Sequence, residues 1–537
     1  MTDFSQLTAL IIDPNQGMRA NLHNMLNLCH LTKIEHAVSA GTAIRQLQGK
    51  AYDIIICEYD LGEGQDGQQL LEDLRHNNII SLWAIYFIVT AERAFTKVVS
   101  AAELGPTDYI LKPFTADMLL DRITRALDKR AIFQPVHQLI AQSHLREAIE
   151  TCIQGEASHP RYANDFLRLR AELHITQGEA QQAEAIYRQL IELRTVAWAR
   201  LGLAKSLYQQ ERFSEAEGLL TALVEENSRY MDAYDWLAKT HERAGQLAQA
   251  QQVLQGAVAV SPHAVRRLRR LGEVALEAGD VTIAERSFQQ VVSKARYSEF
   301  RDPEDHVKLV KTLVTKGDTQ QAATVIRDLQ KSLNGNDKMP ACRALSSALL
   351  HETLGDAARA AQELEAAVAA CRDQAGMSAE MKMVLANACL ANNLEQGASD
   401  VLLDVMNNAA NGAEMARAMS VFERHGRTDL AQKTAQESRR QVVELVNSGA
   451  DKARQGDYKG AVESMQAAVQ KLPDNPQVIF NAAVAILKYL ENMGWERQMG
   501  ERCRLLIDRA RQLEPTNPRL APLTELYRQI TRKHGQG

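Results

Sequence analysis

The sequence predicts an α/β domain built on a five-stranded parallel sheet, followed by an all-α array of helical hairpins. Three observations carry this. Between Leu7 and Leu127, short apolar runs alternate five times with segments of helical periodicity, the pattern of strands buried on both faces by crossover helices. From Ala131 onward the β-branched runs vanish, and helices rich in Ala, Leu and Gln take over, broken at Gly and Asn-Pro. Within that second part a turn with glycine five residues before alanine recurs at a nearly fixed step.

The first run, residues 7–12, ends at Asp13 and leads into a helix over 17–27, where Met18, Leu22, Met25 and Leu26 share a face. Strands at 34–38, 54–57, 83–89 and 109–111 are followed by helices at 40–48, 68–75, 94–103 and 116–127. Composition fits this reading. With 537 residues, 45% apolar and 24% charged, the chain has material for roughly three to four domains. A net charge of -5 favours neither nucleic acid nor an acidic tail. Seven cysteines, an odd number without a CxxC pair, suit a reducing compartment. The N-terminal MTDFSQLTALIID lacks the basic and long apolar regions of a signal peptide, and no apolar run reaches the ~18 residues of a membrane span. A cytoplasmic protein is expected.

Four residues fall at the carboxyl ends of the expected strands: Asp13, Glu58, Thr90 in VTAE and Lys112 in LKPF. Ligands of open α/β sheets bind beyond those ends, so two carboxylates, a hydroxyl and an ammonium there make a phosphoryl-type site. On IID at 11–13, Glu58, TA at 90–91 and KPF at 112–114, residues 5–130 resemble the receiver domain of bacterial two-component response regulators, a flavodoxin-like fold. The resemblance implies that the acid ending the third strand takes phosphate from a histidine kinase, and that Thr90 and Tyr109 act as a switch. Glu58 stands where the family has aspartate. Its extra methylene misplaces the carboxylate for in-line attack while putting its charge near that of an aspartyl phosphate. Pro14 follows Asp13 where a second acid is usual, with Asp60 near enough to compensate, and Gly62 stands where proline is common. Such a site would hold Mg2+ only weakly, on Asp13 and Glu58. The expectation is a pseudo-receiver that does not accept phosphate, with Glu58 paired to Lys112. Either Glu58 mimics the phosphorylated state, or the site is inactive and the domain is a docking platform. A third reading makes Asp60 or Asp66 the acceptor.

In the second part the turn recurs at Gly178, Gly245, Gly279, Gly317, Gly355, Gly426 and Gly456, each five residues before an alanine. Ala216 and Ala398 keep the alanine without the glycine. A small residue there lets two helices cross closely, and a large apolar one four positions on, from Tyr187 to Met465, fills the gap. The Gly426 unit departs, with Ala435 in that place. Successive alanines from Ala183 to Ala284 are 33, 34 and 34 residues apart, and those from Ala284 to Ala398 are 38 apart. This resembles the tetratricopeptide repeat (TPR), a helical hairpin that stacks into a superhelical solenoid. The expected organisation is a receiver-like domain at 1–130, a helical linker or first degenerate repeat at 131–160, and the solenoid with several degenerate repeats at 161–537. The helix ending the first domain should run almost directly into the array, and the 38-residue units should have extended turns. On the family's pattern, Trp198, Lys205, Tyr208, Asp235, Lys239, Arg266 and Arg269 face a groove for a peptide or helix. Trp198 reads equally as packed between repeats. The run VRRLRRL, with Arg266, Arg267, Arg269 and Arg270, is taken as a solvated helix face and not as nucleic-acid contacts.

No HExxH, Cys/His metal spacing, GxxxxGK[ST] loop or GxSxG elbow is present. The sequence therefore points away from an enzyme and from a resident cofactor. It points to a signalling adaptor of a bacterial two-component phosphorelay. Its first domain would meet a histidine kinase, a phosphotransfer domain or another response regulator, and its repeats a second protein, with no nucleic acid or membrane involved. A homodimer is compatible with the sequence. The alternatives are a TPR-type modulator that inhibits phosphotransfer or promotes dephosphorylation of another receiver, and a conventional phosphorylated regulator with a protein-binding output.

Overall fold

The computed structural model describes residues 4–62, 65–81, 83–91, 106–142, 144–193, 196–295, 301–333, 335–373, 376–514 and 517–534. Its first part is a five-stranded parallel sheet in the order β2-β1-β3-β4-β5. The strands are β1 (Thr8–Ile12), β2 (Lys33–Ala37), β3 (Ile54–Glu58), β4 (Ile85–Thr90) and β5 (Asp108–Leu111). The central strands are apolar because both faces are covered. Leu10, Ile12, Ile55, Cys57, Tyr86 and Ile88 feed one core, while Ile11, Ile54, Ile56, Phe87 and Val89 feed the other with Leu22, Leu119 and Ile123. Helices α1 (Gln16–Leu28), α2 (Ala40–Gly49) and α3 (Gly67–His76) connect the strands. Strand β4 starts two residues after the expected position, since Ala84 N–H donates to the Ser81 carbonyl in a turn. The helix expected at 94–103 lies outside the described residues. The chain order reverses at β1 and β3, so the rim where their carboxyl ends meet is the natural ligand position.

Helix α4 (Ala116–Ala141) is 26 residues long, capped by Thr115, whose hydroxyl accepts from Met118 N–H. Its first half buries Leu119 and Ile123 against the sheet. Its second half buries Phe133 and Val136 with Ala148, Cys152 and Phe166 of the next two helices. One helix thus serves both cores, with no linker between them.

Helical hairpins follow, from α5 (Leu145–Ser158) to α25 (Leu520–Lys533). All seven turn glycines have positive φ, a conformation glycine adopts at no steric cost. The alanines five residues on, with Ala216 and Ala398, are fully buried. The two hairpins without glycine keep the same turn: Glu211 and Asn393, each five residues before its alanine, have φ of 60° and 61°. Connections in the longer units are long, between α15 (Thr319–Ser332) and α16 (Met339–Thr353) and between α17 (Ala357–Asp373) and α18 (Ala379–Ala391). Helix α21 (Thr428–Arg454) runs 27 residues unbroken. The step from Ala431 to Ala461 is only 30 residues, which leaves no room for a turn between one hairpin and the next.

The chain divides into two compact units, Met1–Asp305 and His306–Gly537. The sheet and the hairpins up to α13 (Val281–Ala295) belong to the first. No described helix is long and apolar enough to cross a membrane.

Candidate functional site

The rim of the sheet brings Asp13, Glu58 and Lys112 together. Lys112 Nζ forms a short ion pair with Glu58 Oε2. Glu58 Oε1 accepts from the N–H groups of Tyr59 (3.0 Å) and Asp60 (3.4 Å). Asp13 is 2% exposed. Burial pushes its carboxyl above the usual range, the Asn15 N–H at 2.7 Å opposes this, and the charge of Glu58 adds to the rise. Its Oδ2 is buried without a hydrogen-bond partner, and Arg19 donates to its backbone carbonyl at 2.6 Å. Thr90 is buried at the end of β4.

A cation would suit the orphaned Asp13 oxygen, but the remaining donors do not make a divalent site. Both Glu58 oxygens are engaged, and Pro14 supplies no carboxylate. Asp60 turns away, exposed, its Oδ1 accepting from Gly62 N–H at 2.9 Å. Among the described residues no group of three His, Cys, Asp or Glu side chains is arranged for a metal. Magnesium is therefore not supported as a ligand of this rim. Asp66 closes a capping box on α3 with Gln69 and accepts from Tyr59 OH at 3.1 Å.

Tyr109 points inward and is buried, its hydroxyl donating to Gln68 Oε1 of α3 at 2.8 Å. From α3 the contacts continue into the array. Gln69 Nε2 donates to Ser261 Oγ at 3.0 Å, and both side chains are buried. Glu72 Oε2 lies 3.1 Å from Arg267 Nη2.

Arg267 corrects the solvated-face expectation. It is 2% exposed and sits on α12 (Val265–Glu277), paired with Glu72 and with both carboxylate oxygens of Asp235 on α10 (Met231–Arg243), at 2.9 and 3.0 Å. Burial works against its charge, and the two acids more than offset that, so the guanidinium is held firmly protonated. Its neighbours are also committed: Arg266 to Asp235, Arg269 to Asp305, and Arg270 to Glu242 and Glu273. A sequence signal existed. Arg267 lies four, seven and eight residues before Leu271, Val274 and Ala275, on the helix's buried stripe.

Of the residues placed in a groove by sequence, Tyr208, Asp235, Lys239, Arg266 and Arg269 line one cavity of about 740 Å³, with Trp236 and Arg267. Trp198 and Lys205 are not on that lining. Trp198 is half-buried in the core of its hairpins with the Arg168 guanidinium 5.0 Å from its ring. Lys205 is buried, 5.0 Å from the Trp236 ring. Sequence reasoning missed Trp236, the aromatic floor, and the α3 residues Gln69 and Glu72.

Residues 9–124 match the family described as response regulator receiver domain, and residues 174–238 and 237–299 match tetratricopeptide repeat families. The chemotaxis protein CheY of Pseudomonas aeruginosa is 28% identical over 120 residues, which are 22% of this chain and 95% of that protein. CheY-3 of Vibrio cholerae is 26% identical over 120 residues, 22% of this chain and 91% of its own. A tetratricopeptide repeat protein from Parabacteroides merdae aligns in structure over 57% of this chain and 98% of its own, with 13% identity and a TM-score of 0.32. By these family matches residues 9–124 are a response regulator receiver domain, and tetratricopeptide repeats at residues 174–299 lie in the helical array that α4 leads into.

Proposed function

We propose that this two-component signalling protein is a non-catalytic adaptor whose receiver does not accept phosphate. The carrying observation is Glu58: its Oε2 is held by Lys112 and its Oε1 by two backbone N–H groups. A carboxylate engaged on both oxygens in this way supports a fixed charge over a nucleophile. The receiver would dock a cytoplasmic histidine kinase, phosphotransfer domain or second response regulator, while the repeats hold another protein. Incubation with acetyl phosphate and Mg2+ followed by intact-mass measurement tests this. The expected spectrum shows no phosphoryl adduct, and stoichiometric labelling of any carboxylate overturns the reading.

Glu58→Gln then asks what the charge does. It keeps the shape, loses the pairing with Lys112, and is expected to weaken kinase or phosphotransfer-domain binding by about tenfold if the charge fixes the docking face. Unchanged affinity would make the domain a platform whose rim takes no part.

A further inference from the structure

The cavity between α10 and α12 holds charge that its own walls do not balance. Of its four acids, Asp235, Glu242, Glu273 and Glu277, the first three are already bound to Arg266, Arg267 and Arg270. Lys239 is different. Its Nζ lies 4.3 Å from the Trp236 ring and 5.2 Å from that of Tyr208, and no described carboxylate lies within ion-pair distance of it. Arg267 lines the same cavity and is buried, yet its Nη1 has no hydrogen-bond acceptor. A buried guanidinium N–H without an acceptor is costly, and an incoming carboxylate relieves that cost. About 740 Å³ of space accommodates several side chains, and the floor of Trp236 and Tyr208 offers apolar and aromatic surface beside the cations.

The wall at Arg267 is shared. Glu72, on α3 of the receiver, reaches Arg267 Nη2 at 3.1 Å, so a ligand carboxylate and a receiver carboxylate call on one guanidinium. We propose that this cavity docks an acidic segment of a partner protein, and that Glu72 of the receiver is its built-in competitor at Arg267. The proposal rests on the reading that the array binds a partner protein, and it gives that partner's chemistry and a route by which the receiver's seat senses it. Linkage is reciprocal: whatever loosens Glu72 strengthens the ligand, and the ligand loosens Glu72.

Calorimetry on the full chain tests it, with an acetylated, amidated peptide of alternating Glu and Ala, a Lys-Ala peptide of equal length, and a single-stranded oligonucleotide. The Glu-Ala peptide is expected to bind and the other two to stay unbound. Lys239→Glu should weaken the Glu-Ala peptide by about tenfold or more with an unchanged unfolding midpoint, and Glu72→Gln should tighten it several-fold. Failure of the Glu-Ala peptide to bind, preference for the oligonucleotide, a silent Lys239→Glu, or an affinity that Glu72→Gln leaves unchanged or weakens would each overturn the proposal. None of these readings depends on phosphate labelling of the receiver. A chain that holds a partner through another face while the Glu-Ala peptide stays unbound refutes this site and leaves the adaptor reading standing.

Discussion

Asp73 shows how strongly the receiver's α3 feels the surface under it. Its carboxyl is pushed up to about 6, first by burial and then by Glu72, against the opposing pull of Arg266, Arg267 and Arg269. The folded chain therefore binds this proton more tightly than the unfolded chain, whose value stays near the usual ~4. Below ~4 both forms are protonated and the group is neutral in its effect. Between ~4 and ~6 the cost of ionising it in the fold builds up, and above ~6 that cost is fully present, on the order of 2 kcal/mol. Asp73→Asn should then stabilise the protein at pH 7 by ~1–2 kcal/mol. It should also remove part of the stability gained on acidification through that window, as read by urea unfolding at several pH values. A variant less stable than the parent at pH 7 would contradict this assignment. The rim residues were legible from sequence because a strand end fixes where its next side chain goes: Asp13, Glu58 and Lys112 meet as expected. Asp60 was not, since a carboxylate two residues into a loop can turn back on its own backbone, as it does to Gly62. Arg267 was misread because four arginines in a row of six suggest water, although one of them falls on the apolar stripe.

At the level of the element, the repeat turns obey a backbone rule more closely than a residue rule. Glu211 and Asn393 adopt the left-handed conformation that glycine takes in the other hairpins, which costs a side chain roughly 1 kcal/mol. Glu211→Gly is expected to stabilise the chain by ~0.5 kcal/mol, since the freer unfolded glycine cancels part of the gain. The exposed pairing of Glu211 with Arg243 at 3.8 Å contributes little. Thermal unfolding reads the sign, and a loss of stability would show the turn to be held by its side chain. The opposite case is Gly272. A methyl there would stand 2.7 Å from the Phe288 ring, so Gly272→Ala should cost about 1–3 kcal/mol by forcing the helices apart. These spacings were readable because Gly-x4-Ala repeats in the sequence. The fused helix α21 was not anticipated, because the Gly426 and Gly456 turns flank it as they do in the other units and only the shortened step from Ala431 to Ala461 reveals the missing turn.

At the scale of the first unit, the receiver is seated on its own repeats through buried polar contacts, Gln69 with Ser261 and Glu72 with Arg267. Buried charge pairs are costly to break from one side. Arg267→Met strands Glu72 and Asp235 together and should lower stability by about 3 kcal/mol. Hydrogen exchange is expected to quicken in α3 while β3 keeps its protection, and equal loss in both would place Arg267 in the general core. Helix α4 adds a constraint of another kind. Because it is continuous from the sheet to the first hairpin, its two ends share one rotational phase. One inserted residue would turn everything beyond it by about 100°, and seven would nearly restore the angle while lengthening the rod by roughly 10 Å. The receiver and the first hairpins are therefore indexed to each other like teeth on a common shaft, and the number of residues in α4 is as much a part of the seat as Arg267 itself.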